Sequence, residues 1–159
     1  MSLHAPSFNG LDGSKLRFGI VAARFNPELV DGLLGRLTDA LQAAGVKPAA
    51  IRVERVPGSH EVPWGIGRFA ARGGYDCLVA LGVLIGGDTN HHEMVGQSVS
   101  HALQRVAVDR DIPVINGVIV TDTLAQARAR CIGRINRGAE FAHAALAMAD
   151  LNRRLGGKS

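Results

Sequence analysis

The sequence is poor in aromatic residues and contains no hydrophobic run long enough to cross a membrane. Of its 159 residues, one is Trp, one is Tyr and five are Phe. A spanning helix needs roughly 18 or more consecutive apolar residues. The opening residues, MSLHAPSFNGLDGSKLRFG, also lack the basic start and apolar run of a secretory signal. We therefore expect a cytoplasmic protein that has no membrane partner.

Cysteine is also scarce, and its placement argues against a cysteine metal site. Cys77 lies in an apolar run and Cys131 lies in an arginine-rich stretch. There is no CxxC spacing and no second pair of cysteines that could complete a set of ligands. We interpret both residues as reduced, structural thiols.

The formal net charge of +4 comes mostly from arginine, and four arginines crowd one short segment: Arg128, Arg130, Arg134 and Arg137. Such a cluster can mark a nucleic-acid surface. Aromatic residues are scarce, and the sequence has no recognisable nucleic-acid-binding signature. We therefore expect no nucleic-acid partner. Arginine binds the phosphate of a small substrate equally well, because its planar guanidinium forms bidentate contacts. A solvated charged surface is the ordinary alternative.

Four apolar runs alternate with helical patterns, which predicts a three-layer α/β/α sandwich built on a four-stranded parallel sheet. The runs are LRFGIVAA, IRVERV, YDCLVALGVLI and IPVINGVIV. Three of the four are hydrophobic almost throughout, as expected of strands buried on both faces. We expect one domain over residues 16–159, preceded by a polar arm, residues 1–15, that has no core of its own.

Leucines recur at helical spacing after the first run, between Pro27, which fits a first turn, and Gly45, which fits the position past the end. Further helices are predicted over Val62–Arg72, His92–Val108, Thr123–Arg130 and Gly138–Leu155. Ligands of parallel sheets bind beyond the carboxyl ends of the strands. The segments at those ends are ARFNP, VPGSHEVP, GGDTNHH and TDT.

The segment GGDTNHH follows the third strand and opens a helix, as a phosphate cradle would. Its glycines allow close backbone approach, Thr89 and Asn90 can cap the helix, and free N–H groups at the helix start attract an anion. An ordinary tight turn with a cap explains the same residues. Asp88 would repel a phosphate unless its carboxylate points elsewhere or meets an arginine.

His91 and His92 are adjacent at that helix start, so only one of them can point into a site. The positive end of the helix dipole favours a neutral histidine, which can act as a base. A metal site would recruit these two residues with His60 and Glu61. Adjacent histidines diverge on a helix and there is no HxxxH pair, so the pattern argues against a metal.

Two further residues have a structural and a functional interpretation. Glu61 sits where a helix begins, so it either favours that helix start electrostatically or contacts a ligand. Phe25 directly follows a buried strand, so it is either a core residue or a stacking platform for a planar ring.

Four blocks together resemble the lumazine synthase family over about residues 16–155. They are ARFN (23–26), VPGSHEVP (56–63), ALGVLIGGDTNHH (80–92) and the distal TDTLAQARAR with NRGAEFAHAALAMADL. The resemblance implies a flavodoxin-like fold and a transferase of riboflavin biosynthesis that needs no cofactor and no metal. Such enzymes condense 5-amino-6-ribitylaminouracil with 3,4-dihydroxy-2-butanone 4-phosphate to 6,7-dimethyl-8-ribityllumazine, releasing phosphate and water.

The resemblance also implies roles for individual residues. Phe25 would stack on the pyrimidine ring, Glu61 would bind ribityl hydroxyls, and His91 would transfer protons. The other implied substrate contacts are Ser59, His60, Val83, Leu84, Ile85, Asn116 and Arg137, the last replacing a lysine usual in that place. The implied phosphate contacts are Gly87, Asp88, Thr89 and Arg130.

Family sites lie between neighbouring subunits, so Arg130 would act across an interface. Homopentamers are the implied unit, either alone or as twelve pentamers in an icosahedral shell of 60 subunits, and association with riboflavin synthase is a further implied partnership. The N-terminal arm would add a strand to a neighbouring subunit. The choice between pentamer and shell stays open.

Several positions depart from the commonest family pattern. Gly86 replaces a frequent arginine, Asp88 a small residue, His60 an apolar aromatic residue and Asn116 a phenylalanine, and the turn over residues 132–136 is about one residue short. We expect a working enzyme with weaker substrate binding. The alternatives are a non-catalytic paralogue that binds a flavin or lumazine or forms a shell, and an unrelated α/β phosphate-binding protein.

Overall fold

Four parallel strands form the centre of the fold within residues 10–156, the part of the chain that the computed structural model describes. In chain order they are β1 (Phe18–Ala23), β2 (Ile51–Val56), β3 (Cys77–Ile85) and β4 (Val114–Thr121). Their order in the sheet is β2-β1-β3-β4. The predicted four-stranded parallel sheet of flavodoxin-like type is confirmed.

Five helices cover the two faces of this sheet. They are α1 (Pro27–Ala43), α2 (Val62–Arg72), α3 (His91–Arg110), α4 (Leu124–Cys131) and α5 (Arg137–Arg154). Helices α1, α4 and α5 share one hydrophobic cluster with β1 and β3, whereas α2 and α3 share a second cluster with the opposite face of the same strands. The predicted three-layer arrangement is therefore confirmed, and the predicted helix ends agree with those observed to within about two residues.

Helix α1 illustrates how the sequence sets the boundaries of an element. Pro27 occupies its first turn, where no N–H partner is needed. Gly45 follows its end with a φ of 93°, a left-handed conformation that glycine adopts without strain. The leucines between them form the buried face: Leu29, Leu33, Leu37 and Leu41. This periodic face anchors the helix on the sheet.

Strand β4 is less buried than its apolar sequence predicts. It lies at an edge of the sheet, where Asn116 is exposed and the Val120 residue is 42% exposed. Burial on both faces was expected of this strand, and within a single chain that expectation is wrong for β4. The reason is that no further strand or helix of the described residues covers this edge. The edge leaves apolar surface available to another chain.

The structure does not describe residues 1–9 or 157–159. The predicted arm, residues 1–15, therefore lies partly outside the described residues. The strand expected from the arm therefore lies outside the described residues. Leu11 packs against the core, and the Gly13 N–H donates a 2.8 Å hydrogen bond to the Ala44 carbonyl. Among the described residues, no helix is long and apolar enough to cross a bilayer.

The buried carboxylate of Asp76 links the end of α5 to the amino end of the sheet. Asp76 is fully buried and accepts hydrogen bonds from the Arg17 backbone N–H at 2.7 Å and from Nε of Arg153 at 2.7 Å. Arg153 also donates to the Lys15 carbonyl at 2.6 Å, and its hydrogen bonds with Asp76 raise the pKa of its guanidinium. The pair therefore ties the end of α5 to the starts of β1 and β3.

Replacing Arg153 with alanine should lower the free energy of unfolding by about 2–3 kcal/mol, because a buried carboxylate would lose its cation. Arg154 provides a matched control, since it pairs with Asp150 at 2.8 Å on the exposed side of the same helix. Arg154→Ala should cost about 0.5 kcal/mol or less. Urea denaturation of both variants tests this difference, and equal losses would contradict it.

Candidate active site

A cavity of about 520 Å³ lies at the carboxyl ends of the central strands. It is bounded by the segments that follow β1, β2 and β3 and by the start of α3. Most of the predicted site residues line it, namely Phe25, Ser59, His60, Glu61, Val83, Leu84, Ile85, Gly87, Thr89 and His91. The topology thus brings together three of the four segments expected at this edge of the sheet.

The loop after β1 presents an aromatic ring to the cavity. Phe25 is 70% exposed, so it is not a core residue. Its backbone N–H donates to the Pro57 carbonyl at 3.3 Å, and the next residue, Asn26, has a φ of 55° and donates from its amide to the Val83 carbonyl at 2.9 Å. Asparagine tolerates this left-handed conformation better than most residues. The loop is therefore fastened on both sides, with the Phe25 ring held outward.

The turn after β2 gives Glu61 a structural contact and leaves part of its carboxylate free. Its Oε2 accepts a 2.9 Å hydrogen bond from the Gly58 N–H, which stabilises the short helical turn Ser59–Glu61. Oε1 lies 4.0 Å from Nδ1 of His60 and accepts no hydrogen bond from the described residues. Both interpretations of Glu61 are therefore compatible, because one oxygen holds the turn while the other faces a cavity.

Ser59, in the same turn, carries a buried hydroxyl. The residue is only 5% exposed, and none of the described residues forms a hydrogen bond with its Oγ. Buried hydroxyl groups are normally paired, because an unpaired one loses its hydration without compensation. Ser59 Oγ is therefore both unpaired among the described residues and inaccessible from the cavity.

The start of α3 supplies a histidine and backbone donors. His91 is the first residue of the helix and is exposed to the cavity. The first N–H groups that bond back to the Asn90 carbonyl are those of Glu93 and Met94, so the His91 N–H has no partner in the helix. The predicted side-chain cap by Thr89 or Asn90 is wrong: Asn90 stands at the cap position, but no side chain caps the helix. The uncapped N–H groups favour an anion there.

The loop between β3 and α3 leaves no room for a side chain at position 86. A Cβ on Gly86 would lie 2.6 Å from the Asp122 carbonyl oxygen, and the Gly86 N–H donates to the Thr121 carbonyl at 2.7 Å. The backbone of Asp122 therefore leaves no space at position 86 for the arginine that is frequent there in the family. Asp88 does not line the cavity, so its carboxylate does not face a ligand bound there.

One group of side chains beside this loop has the spacing of metal ligands. His92, Glu93 and Asp122 each place a donor atom within 4.8 Å of the others. This differs from the set considered from the sequence, since His60, Glu61 and His91 do not belong to it. Glu93 and Asp122 are both exposed, and His92 Nε2 lies 3.6 Å from Asp122 Oδ1, an arrangement that an ion pair explains as well.

Three predicted site residues lie away from the cavity within this chain. Asn116 is on β4 and lines a separate cavity of about 450 Å³ between β4 and α3. Arg130, near the end of α4, donates to the Gln126 carbonyl at 3.0 Å. Arg137, at the start of α5, pairs with Glu140 and lies over the ring of Phe141. The single chain therefore forms a cavity that none of these three residues reaches.

His92, the other histidine considered at the helix start, also lines the cavity. Three further lining residues were not predicted from the sequence: Asn26, Gly58 and Val95. Two of them stand within motifs that the sequence did single out. Asn26 follows Phe25, and Gly58 precedes Ser59. Their contribution comes from backbone conformation and close packing, which the residue types alone do not specify. Val95 lies one turn into α3, so helical spacing from His91 was the available signal.

Comparison with known proteins agrees with this geometry. The profile of the 6,7-dimethyl-8-ribityllumazine synthase family matches residues 15–153. A protein of that name from Laribacter hongkongensis is 42% identical over 147 residues, which cover 91% of this chain and 92% of the relative. One from Azoarcus sp. is 40% identical, covering 89% of this chain and 88% of the relative.

The similarity extends to an archaeal protein. The 6,7-dimethyl-8-ribityllumazine synthase of Pyrococcus furiosus is 40% identical over 144 residues, which cover 91% of this chain and 90% of the relative. The family profile, over residues 15–153, spans the four strands and every segment that lines the cavity. The chain belongs to the 6,7-dimethyl-8-ribityllumazine synthase family.

Proposed function

We propose that this protein makes 6,7-dimethyl-8-ribityllumazine by condensing 5-amino-6-ribitylaminouracil with 3,4-dihydroxy-2-butanone 4-phosphate, with release of phosphate and water. The observation that carries the proposal is the cavity at the carboxyl ends of the strands. It combines an exposed aromatic ring, a carboxylate with one unpaired oxygen and the uncapped start of a helix. The family profile that matches residues 15–153, and with them every segment of this site, is named for the synthase of that product.

The ring substrate would bind on the side formed by the loops after β1 and β2. Phe25 offers an exposed face on which a pyrimidine can stack. The free oxygen of Glu61 can accept hydrogen bonds from ribityl hydroxyls, and the end of β3, residues 83–85, supplies an apolar wall. These contacts would orient the amine for attack on the carbonyl of the second substrate.

The phosphate would bind at the start of α3. The unpaired N–H groups there and the positive end of the helix dipole favour an anion. Gly87 and Thr89 line the approach, and Gly87 has open space around its Cα, so a phosphate can come close to the backbone. Because Asp88 points elsewhere, it does not oppose this binding.

His91 is the candidate for proton transfer. It is the first residue of α3, at the proposed phosphate position, and it lines the cavity. Imine formation requires a proton to leave the attacking amine and another to reach the departing hydroxyl, and ring closure repeats this requirement. An imidazole can serve both steps near neutral pH. The remaining rate acceleration would come from holding the two substrates in contact.

We further propose that the site is completed by a neighbouring subunit of a homopentamer. Asn116, Arg130 and Arg137 lie outside the cavity of their own chain, while exposed apolar residues mark the neighbouring elements α3, β4 and α4: Met94, Val120 and Leu124. An apolar surface of this kind is typical of an interface. Arg130 of the adjacent chain would then bind the phosphate across that interface.

Replacing Arg130 with alanine should lower kcat/KM about a hundredfold, because the departing phosphate would lose a charged partner. The decrease in kcat/KM should be largest for 3,4-dihydroxy-2-butanone 4-phosphate, the substrate that carries the phosphate. Arg134→Ala is the matched control, since Arg134 is an exposed arginine of the same segment. Phosphate release and lumazine formation by the purified protein measure both effects. A parent protein that binds the pyrimidine and releases no phosphate would contradict the enzymatic function.

Sedimentation of the purified protein should give particles of about five chains, or of about sixty if the pentamers close into a shell. The reason is that an isolated chain exposes β4 and leaves its cavity without an arginine. A fully active monomer would contradict the shared site, and a fully active dimer would contradict the pentamer.

A further inference from the structure

One side chain of α1, that of Arg36, holds the segment that connects α4 to α5. Its Nη2 donates a hydrogen bond to the Ile132 carbonyl at 2.6 Å, and its Nη1 donates to the Gly133 carbonyl at 2.9 Å. Ile132 stands at the C-cap position of α4. The negative end of the helix dipole also favours a cation there. Arg36 therefore fixes the end of α4 from a different helix.

Two glycines let this segment approach α1 closely enough for these hydrogen bonds. A Cβ on Gly32 of α1 would collide with the Ile132 side chain. A Cβ on Gly138, in the first turn of α5, would lie 2.6 Å from Arg36 Cβ and 2.7 Å from the Leu33 carbonyl oxygen. Neither glycine has a positive φ, so both positions require glycine for space and not for conformation. Contacts with α1 thus set the place of the connecting segment.

Arg130, the proposed phosphate ligand, lies on the last turn of α4, two residues before Ile132. Its Nη1 donates to the Gln126 carbonyl at 3.0 Å, so its side chain lies along its own helix. Helix α4 has only eight residues, and the backbone runs from Arg130 through the fully buried Cys131 directly to the carbonyls that Arg36 holds. A shift at the end of so short a helix would move the Arg130 guanidinium with it.

We propose that Arg36 is a positioning residue for Arg130, because it holds the end of α4 and so sets where the Arg130 guanidinium meets the substrate phosphate of the neighbouring subunit. This inference rests on the proposed function. Arg36 does not line the cavity, so it acts without touching the substrate. A guanidinium that is already in place binds phosphate more tightly than one that must be ordered on binding, since ordering consumes binding free energy.

Arg36→Ala should raise the KM for 3,4-dihydroxy-2-butanone 4-phosphate about fivefold and leave the KM for 5-amino-6-ribitylaminouracil unchanged. Arg36→Lys should raise the first KM less, because an ammonium group keeps the positive charge and can donate to one of the two carbonyls. Steady-state kinetics with each substrate varied in turn measures both constants. An equal rise in the two KM values of Arg36→Ala, or no rise in either, would overturn the proposal.

A double-mutant cycle with Arg130→Ala tests whether Arg36 acts through Arg130. The double variant should have the kcat/KM of Arg130→Ala alone, because no guanidinium is then left to position. Multiplication of the two effects in the double variant would overturn the proposal. If Arg36→Ala does not fold, Arg36→Lys takes its place in the same cycle, with the same two outcomes.

Arg55→Ala is the matched control for the loss of an arginine that contacts α1. Arg55 belongs to β2 and pairs with Asp31 of α1, so it binds the same helix without holding the end of α4. This variant should leave both KM values unchanged, whatever its effect on Tm. A rise in the KM for the butanone phosphate equal to that of Arg36→Ala would show that the loss of any contact with α1 suffices, and would contradict a specific role of Arg36.

Titration with inorganic phosphate separates this inference from the proposed function, because it requires no turnover. The dissociation constant of phosphate should rise about fivefold in Arg36→Ala and should not rise further when Arg36→Ala is added to Arg130→Ala. Absence of turnover by the parent protein, together with this coupled pattern, would refute the proposed reaction and support the role of Arg36. Turnover by the parent with an uncoupled pattern would refute the role of Arg36 alone.

Discussion

The position of β1 between β2 and β3 is the constraint on which the site depends. Ala23 at the end of β1 is in register with Val56 at the end of β2, and Ala22 is in register with Leu81 of β3. The loops that follow β1 and β2 therefore leave the sheet at the same level. Strand β3 continues beyond this level to Ile85 and forms a wall beside them. A cavity between these segments follows directly from parallel pairing.

Hydrogen bonds from the loop after β1 connect it to the neighbouring segments of the site. The Arg24 N–H donates to the Val56 carbonyl at 2.9 Å, and the Asn26 amide donates to the Val83 carbonyl on the other side. These contacts fix the distance between the segments that carry Phe25 and Ser59. At the opposite end of the sheet, Asp76 and Arg153 link the end of α5 to the starts of β1 and β3.

The sequence predicts the strands, the helices and the grouping of cavity residues well, because all three follow from local patterns. Apolar runs mark the strands, and the carboxyl-end rule brings Phe25, Glu61 and His91 to one edge of the sheet. Phe25 was ambiguous because an aromatic residue after a buried strand fits either a core or a platform. The exposure of Phe25 in the folded chain shows that it is not a core residue.

Other features depend on tertiary packing and could not be predicted. The cap expected from Thr89 or Asn90 is not formed, because both residue types allow a cap without requiring it. The lack of space at Gly86 arises from the backbone of Asp122, which is distant in sequence. The position of Arg130 is a different case: its proposed role needs a second chain, so no property of one folded chain can reveal it.

The central claim is that two chains share each site, and mixed oligomers test it most directly. His91→Ala and Arg130→Ala chains, co-expressed with different tags and purified through both, should each be nearly inactive alone. A shared site predicts that about a quarter of the sites in mixed oligomers combine an intact His91 from one chain with an intact Arg130 from its neighbour. Recovery of about that fraction of parental kcat supports the account, whereas mixed oligomers as inactive as the separate variants would contradict it.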